Sequence, residues 1–310
     1  MNFTPHRTLG FALGFLWLSI LVAGIALSIA QLGQGLISPI SLVWLGLLLL
    51  ALPLALLVLN RLYGLVTARY RVDRDGLYIR WGMSYEQIPL GMISEVGPPR
   101  EKLHAGELSG SQELEPRRPG FGFWWPGCMV GRARTESGGA VDFFASSGQL
   151  FVIRTTTGRA VAISPPDADA FQGAVFSATR MGSLEAIPER SVRADFLVTR
   201  VWSDGLARGL ILTGLLIPLL LLGALVIMAP TLPELIPFGF GPTGQPTPLA
   251  PPGRLLLLPM IAGLVWIADL ILGAWFFGNE ADRPVAYVLW IAAIAAGALL
   301  AGATWQLLSA

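Results

Sequence analysis

Five apolar stretches, each long enough to cross a lipid bilayer, constrain this chain more than any other feature of its sequence. They cover residues 9–32, 40–59, 206–229, 255–277 and 285–308. A helix of about 20 apolar residues spans the hydrocarbon core of a bilayer. Charged residues make up 13 % of the chain, against roughly 25 % in soluble proteins. We therefore predict an integral membrane protein with five transmembrane helices.

The first apolar stretch has a second interpretation, as a cleaved signal peptide. Arg7 precedes it, and the small residues Ala26, Ser28 and Ala30 lie near its end. The apolar part of a signal peptide has about 7–15 residues, which is much shorter than 9–32. A retained transmembrane helix is therefore the preferred interpretation.

The distribution of basic residues predicts the orientation in the membrane. Of the 21 basic residues, 18 lie between Arg61 and Arg208, and Arg7 directly precedes the first stretch. The Pro-rich loop 230–253 has Glu234 as its one charged residue. Because arginine accumulates on the cytoplasmic side, we predict a multi-pass protein of the bacterial inner (cytoplasmic) membrane. Its N-terminus and central segment would be cytoplasmic, and its C-terminus and Pro-rich loop external.

The segment 68–182, here called the central domain, has the pattern of a soluble β-rich domain. Tyr78 and Arg80 alternate with three apolar residues, which is the period of a strand with one face buried. Asp75-Gly76 favours a two-residue hairpin turn, whose type I′ form requires positive φ at both positions. Further strand patterns follow at 88–90, 121–134 around a turn at Pro126-Gly127, 140–144, 150–155 and 159–163.

The central domain ends in a predicted amphipathic helix. Ser164 is the predicted N-cap, with proline and an acid in the first turn, and Gly182 suits the C-terminal cap. Phe171, Val175 and Ala178 form an apolar stripe on one side of this helix. Such a helix can plug one open end of a strongly bent sheet.

A set of turn and core residues runs through the central domain. It comprises Tyr70-Arg-Val, Asp75-Gly76-Leu-Tyr-Ile, Ile88-Pro-Leu and Ile93, and it ends in Ile163-Ser-Pro, Asp167 and Phe171. This pattern resembles the bacterial pleckstrin-homology-like domain family over roughly a third of the chain. The resemblance implies a seven-stranded bent sandwich with a C-terminal helix, used for binding rather than catalysis. The polar insertion 97–119 departs from the simplest form of the family.

The predicted fold class is therefore an α+β membrane protein. Five transmembrane helices carry a pleckstrin-homology-like bent β-sandwich or barrel of about seven strands, capped by its C-terminal helix. Residues 1–67 would supply two of the transmembrane helices and residues 206–310 the other three. Between the central domain and the third of these helices lies the juxtamembrane amphipathic segment 183–205.

The juxtamembrane segment has a helical pattern over residues 185–204. Arg193, Arg200 and Trp202 are candidate contacts to lipid headgroups, because Trp favours the bilayer interface and arginine is attracted to anionic lipid. In the alternative interpretation, these arginines only set the topology of the helix that follows.

The C-terminal part of the chain carries a second, shorter resemblance. Its residues are Leu232-Pro-Glu-Leu-Ile-Pro-Phe, Gly241, Gly244 and Leu258-Pro259. This pattern is similar to a membrane domain of unknown function found in bacterial immunity and signalling proteins. Members of that family often have a His-Phe pair where this chain has Gly239-Phe240, so a role for that histidine does not carry over.

Asp269 is the one carboxylate well inside a predicted transmembrane helix. An ionisable residue in the membrane is costly and is therefore a candidate functional residue. The alternatives are structural pairing with Arg208 or Arg283, and the handling of an ion or a proton. No second acid or base lies well inside these helices to form a relay with it.

The sequence lacks the motifs of the common enzyme classes. Cys128 is the single cysteine, and His6 and His104 are the two histidines, so neither a zinc motif nor a nucleophile motif is present. We predict no catalytic, cofactor-binding or metal-binding residues and no cofactor. The balance of 18 basic against 16 acidic residues over 61–208 gives no basic stripe for nucleic acid.

Two functional hypotheses remain. The first is a non-enzymatic membrane protein whose cytosolic central domain binds a protein, a peptide or the membrane surface, in a scaffold or signalling role. Its partners would be the lipid bilayer and a protein, and its candidate surface residues are Tyr78, Arg80, Trp124 and Trp125. The two tryptophans have an alternative role as core or interface anchors. The second hypothesis is a transporter or an immunity-type transmembrane receptor with its site in 206–310.

The predicted orientation is tested by fusing a reporter after Ala310. An odd number of transmembrane helices places the two termini on opposite sides of the membrane. We therefore expect alkaline phosphatase, which is active in the periplasm, to be active at this position, and a cytosol-dependent fluorescent protein to be dark. A fusion that is active only in the cytosol contradicts the orientation.

Overall fold

Five long apolar helices dominate the computed structural model, which describes residues 1–98, 124–134, 140–192, 201–237 and 249–309. They are α1 (Thr8–Gly33), α2 (Pro39–Thr67), α4 (Gly205–Met228), α5 (Leu257–Phe277) and α6 (Arg283–Ser309). Five helices in the described residues are long and apolar enough to cross a membrane. The remaining long helix, α3 (Ala168–Met181), is amphipathic.

The chain divides into two units. The first comprises residues 1–18 and 57–199, and the second comprises 19–56 and 200–310. The N-terminal part of α1, up to Leu18, and the C-terminal part of α2, from Leu57, therefore belong to the same unit as the central domain. The rest of these two helices belongs to the unit that contains α4, α5 and α6.

A first sheet of five strands opens the first unit. Its order is β1 (Asn2–Phe3), β2 (Arg69–Val72), β3 (Gly76–Trp81), β4 (Ser84–Pro89) and β10 (Arg190–Val192), all antiparallel. The sequence pattern does not predict β1, which precedes the first transmembrane helix. It is also wrong for 190–192, where a helix is predicted and a strand is found. Residues 193–200, with Arg193 and Arg200, lie outside the described part of the chain.

A second sheet of five strands faces the first. Its order is β5 (Ile93–Gly97), β8 (Phe151–Thr155), β9 (Ala160–Ile163), β7 (Ala140–Ser146) and β6 (Cys128–Arg134). β7 and β9 are parallel, and the other pairs are antiparallel. Most of the insertion 97–119 lies outside the described residues.

The two sheets enclose the core of the central domain. Leu77, Ile79 and Trp81 are buried, as their alternation with exposed residues predicts. Tyr70 is fully buried on β2, and its hydroxyl donates a hydrogen bond of 2.6 Å to the carbonyl oxygen of Phe144 on β7. This bond joins the two sheets, and burial raises the pKa of Tyr70 well above its ordinary value.

Helix α3 covers part of this core, with a different N-cap from the predicted one. Asp167 is the N-cap, and its side chain accepts a hydrogen bond of 2.9 Å from the Ala170 N–H. Ser164 instead is buried, and its hydroxyl accepts a hydrogen bond from the Ser146 N–H. The predicted stripe is confirmed, since Phe171, Val175 and Ala178 are buried. Gly182 ends the helix with a φ of 69°.

The turn between β2 and β3 also differs from its prediction. Gly76 does not adopt positive φ, so the type I′ turn is wrong for Asp75-Gly76. The Asp73 N–H bonds to the Gly76 carbonyl, which places Arg74 and Asp75 at the centre of the turn. A Cβ on Gly76 would lie 2.4 Å from Cδ1 of Ile187 and 3.0 Å from the Ile88 carbonyl oxygen, so there is little room for a side chain here.

The second unit is a bundle with an apolar interior. Buried residues from its helices form one cluster, which includes Leu45, Leu49, Ile211, Trp266 and Trp290. The Trp266 indole donates a hydrogen bond of 2.9 Å to the Ile211 carbonyl. Within the loop 230–253, β11 (Ile236–Pro237) pairs with β12 (Leu249–Ala250). The prolines of this loop disfavour regular structure, so the sequence does not predict this pairing.

The central domain meets the membrane helices at two glycines of α1. A Cβ on Gly10 would lie 2.4 Å from the carbonyl oxygen of Gly127, and a Cβ on Gly14 would lie 2.5 Å from Cδ2 of Leu62 on α2. Gly127, with a φ of 86°, is in the turn that joins Trp125 to Cys128. The Trp125 indole donates a hydrogen bond of 2.8 Å to the Gly10 carbonyl. Small residues four apart thus let the turn and α2 approach the backbone of α1.

We expect Gly10→Ala to lower the free energy of unfolding by about 1–3 kcal/mol, because the new methyl group collides with backbone that cannot rotate away. The measurement is unfolding of the purified protein in detergent, followed by tryptophan fluorescence. Gly24→Ala is the matched control on the same helix, since its Cβ would lie 3.8 Å from its nearest neighbour, Leu47. Equal stability of the two variants would contradict the close contact.

Candidate functional site

The outer face of the first sheet gathers the exposed polar residues of its strands. Directly opposite residues in a sheet share a face, so the register defines two rows. The first row contains Arg69, Arg80, Tyr85 and Val192, and the second contains Asn2, Arg71, Tyr78, Gln87 and Arg190. All nine are exposed or half-buried. We call this surface the arginine face.

The arginine face has a strong excess of positive charge. Arg71 pairs with Asp73 at the end of β2. In the described part of the chain, Arg69, Arg80 and Arg190 form no ion pair with an acid. Neither row contains a carboxylate. Three of the four arginines can therefore bind an anionic group without first giving up an acidic partner.

Two tyrosines lie among these arginines. The ring centroids of Tyr78 and Tyr85 are 6.3 Å apart, and the guanidinium carbon of Arg71 is 5.9 Å from the Tyr78 centroid. The Tyr85 hydroxyl donates a hydrogen bond of 3.1 Å to Oε1 of Gln87. Partial burial raises the pKa of Tyr78, and the neighbouring Tyr85 adds to this effect. Tyr78 is thus a neutral hydroxyl at physiological pH, free of negative charge that would oppose an anion.

The first row of the arginine face lies beside the end of α2. Arg69 follows the last residue of α2, Thr67, by two positions. The Thr67 hydroxyl accepts a hydrogen bond of 2.8 Å from the Gly82 N–H in the turn between β3 and β4. Met83 in the same turn is 50 % exposed. Of the two rows, this one is therefore nearer to the end of α2.

The four predicted surface residues fall into two places. Tyr78 and Arg80 share the arginine face. Trp125 is buried, so its prediction as an exposed residue is wrong, whereas its alternative role as an anchor agrees with its hydrogen bond to α1. Trp124 is half-buried and lines a cavity of about 570 Å³ with Leu9, Trp17, Trp125, Met129 and Ser147.

The two candidates near the third and fourth transmembrane helices stand apart from this face in sequence. Trp202, a candidate lipid contact, is 42 % exposed. Asp269 is half-buried on α5, and no hydrogen bond or ion pair joins it to another described residue. The predicted pairing with Arg283 or Arg208 is not formed, since Arg283 instead pairs with Glu280.

A second polar cluster lies inside the central domain and was not predicted. Glu86 is fully buried on the inner side of β4, and Arg159 lies 2.8 Å from it. Arg159 also pairs with Glu189, and the Ser191 hydroxyl donates to Glu86. Asp142 accepts a hydrogen bond of 2.7 Å from Arg132. Each of these carboxylates has an arginine partner, and the cluster ties β4 and β10 to the turn before β9.

Sequence reasoning missed Arg69, Arg71, Tyr85 and Arg190 as members of the arginine face. The alternation of exposed and buried residues in β2 and β4 is the signal that could have found the first three. Arg190 had no such signal, because β10 pairs with β4 from about a hundred residues away.

Comparison with known families agrees with this architecture. The family model described as a bacterial PH domain matches residues 68–178. Residues 68–178 form a bacterial PH domain. The match covers about a third of the chain, and the five apolar helices make the whole a membrane protein that carries this PH domain. Neither a curated protein nor a solved structure matches the chain. The resemblance of the C-terminal part to a domain of immunity proteins stays a prediction.

Two aspartates in the PH domain should change its stability with pH in opposite directions. Burial raises the pKa of Asp142, so the folded state holds this proton to higher pH than the unfolded state, and the wild type loses stability as the pH rises through that window. The Arg74 N–H lowers the pKa of Asp73, so the wild type gains stability as the pH rises through its own, more acidic window.

The measurement compares Asp142→Asn and Asp73→Asn with the wild type between about pH 3 and pH 7. As the pH rises, we expect the free energy of unfolding of Asp142→Asn to increase relative to that of the wild type. That of Asp73→Asn should decrease relative to the wild type. The same slope for both variants would show that the ion pair with Arg132 outweighs the burial of Asp142.

Proposed function

We propose that this chain is a non-enzymatic protein of the bacterial inner membrane that uses its PH domain as a binding module in a scaffold or signalling role. The N-terminus and the PH domain are cytoplasmic in this proposal, and the C-terminus is external. The observation that carries it is the arginine face, an exposed surface with three arginines that have no acidic partner among the described residues.

The attachment of the PH domain to α1 and α2 supports this proposal. β1 lies directly before α1 and adds a strand to the first sheet, while β2 begins directly after α2. The turn at Gly127 contacts α1 at Gly10. A partner that binds the arginine face is therefore held at a fixed height above the membrane, as a scaffold requires.

Binding is a better interpretation of this surface than catalysis. The arginine face offers guanidinium groups and two tyrosine hydroxyls, which recognise charge and shape, and neither of its rows contains a carboxylate or a histidine that could act as a general base. The inner cluster of Glu86, Arg159 and Glu189 is internally paired. We therefore propose an acidic protein or peptide segment as the soluble partner of the second row, around Tyr78 and Arg190.

A photo-crosslinking amino acid at position 78 of the full chain, in native membranes, tests this function. We expect adducts with a defined partner, identified by mass spectrometry, and we expect Arg190→Glu to weaken them at least fivefold, because a positive contact becomes repulsive. The matched control is the same crosslinker at Phe176, which is 60 % exposed on α3. This position should give none of these adducts.

Identical adducts from positions 78 and 176, or none from position 78, contradict the binding function. The alternative, a transporter or receptor with its site in 206–310, rests on Asp269, a carboxylate within α5 that has no partner among the described residues. Solute uptake that is lost when Asp269 alone is changed to Asn, with position 78 silent, favours that alternative.

A further inference from the structure

Asp269 is a carboxylate near the middle of a membrane helix. It belongs to α5, which begins at Leu257 and ends at Phe277. At about 1.5 Å per residue, its backbone is roughly 18 Å from the first end of α5 and roughly 12 Å from the other. The hydrocarbon core of a bilayer is about 30 Å thick. Asp269 therefore lies close to the middle of that core, where an exposed charge meets hydrocarbon rather than water.

The Asp269 side chain is on the border between the buried and the exposed sides of α5. Residues three and four apart are neighbours on a helix. Gly273, four residues after Asp269, is buried, whereas Leu272, three residues after it, is 49 % exposed. Asp269 itself is half-buried. A second membrane helix that packs on the exposed side of α5 can therefore reach the carboxylate.

The chain offers no counter-charge at this depth. Asp269 forms neither a hydrogen bond nor an ion pair with any other residue that the structure describes, and Arg283 pairs with Glu280 instead. Arg208 is the one other charged residue within the five apolar stretches, and it lies in the first turn of α4. A long basic side chain at a helix end can extend to the bilayer surface. An unpaired charge inside a bilayer is costly, so a partner from outside the chain would stabilise Asp269.

A second copy of the chain does not supply the missing charge. Two copies side by side in the same orientation bring one Asp269 against another at equal depth, and like charges repel strongly in a medium of low dielectric constant. A helix with an arginine or a lysine at that depth brings the opposite charge, and each group then compensates the other. Charge complementarity therefore favours a partner of different sequence.

We infer that the exposed side of α5 at Asp269 is a docking site for a transmembrane helix of a partner protein that carries one arginine or lysine near the middle of the bilayer. Leu264, Ala268 and Leu272 are exposed on this side of α5. The small Ala268 lets the backbone of a second helix approach closely. The inference goes beyond the proposed function, since it adds a subunit contact within the membrane and does not depend on the arginine face.

A designed transmembrane peptide tests this docking site. The full chain is reconstituted in phosphatidylcholine vesicles with a dansyl-labelled helix of leucine and alanine that carries one arginine at its centre. Energy transfer from the tryptophans of the chain to the dansyl group reports binding. We expect this peptide to bind about tenfold more tightly than the same peptide with a central glutamine, because only arginine supplies the opposite charge. An arginine two turns from the centre should bind more weakly, since it extends to the bilayer surface instead.

Variants of Asp269 distinguish a charge pair from a structural role. Asp269→Asn should weaken the arginine peptide to the level of the glutamine peptide, and Asp269→Glu should keep the preference for arginine. In Asp269→Arg the preference should reverse towards a peptide with a central glutamate, which a structural role of the carboxylate does not predict. The control is Leu220→Asn, which places an amide at a 67 % exposed position of α4 and should leave the preference unchanged.

Two results would show that Asp269 is not a docking site for a basic helix. The first is equal binding of the arginine and glutamine peptides to the wild type. The second is a preference for arginine that persists in Asp269→Asn. A large gain in peptide binding in Arg208→Gln would also overturn the inference, because Arg208 would then already neutralise the carboxylate.

Other occupants of this side of α5 give their own results, and each of these also overturns the inference. Dimers of the wild type that are lost in Asp269→Asn and are not displaced by the arginine peptide, counted by single-molecule photobleaching, would assign the site to a second copy. Peptide binding that is abolished when sodium replaces choline in the buffer would assign it to an ion. If the peptide fails to bind while the adducts at position 78 persist, the docking site is wrong and the proposed function stands.

Discussion

The carbonyl oxygen of Gly127 occupies the space that a side chain at Gly10 would need, 2.4 Å from the position of its Cβ. The Trp125 indole bonds to the carbonyl of the same Gly10 at 2.8 Å, and Leu65 of α2 packs on the other side. A membrane helix, its neighbour and a turn of the PH domain therefore meet at Gly10. The orientation of the PH domain on these helices depends on glycine at that position.

The parts of the fold that follow from residue periodicity were predictable. The apolar stretches coincide with the five long helices to within two residues at every end but the end of α2. The alternation in β3 placed Leu77, Ile79 and Trp81 inside and Tyr78 and Arg80 outside. The end of α2 was misplaced by eight residues, because Arg61 interrupts the apolar run but not the helix. Arg61 is 5 % exposed, so protein rather than lipid surrounds it.

The parts that depend on distant pairing were not predictable. β1 and β10 have two and three residues, too few to show a period, and they exist because the edges of β2 and β4 offer backbone groups to them. Because β10 is too short to show a period, the sequence pattern did not identify Arg190 as a member of the arginine face. At Asp75-Gly76, the dipeptide predicted the two central residues of the turn, whereas the turn is centred one residue earlier, on Arg74 and Asp75.

The position of β1 has a consequence for the order in which this protein is made. Phe3, one residue of β1, packs edge-on against Phe171 of α3 at a centroid distance of 5.3 Å, so a strand that leaves the ribosome early needs a helix that leaves it much later. The translocon receives α1 and α2 in the interval. The nascent β1 must therefore wait at the bilayer surface, and completion of the PH domain follows insertion of the first helical hairpin.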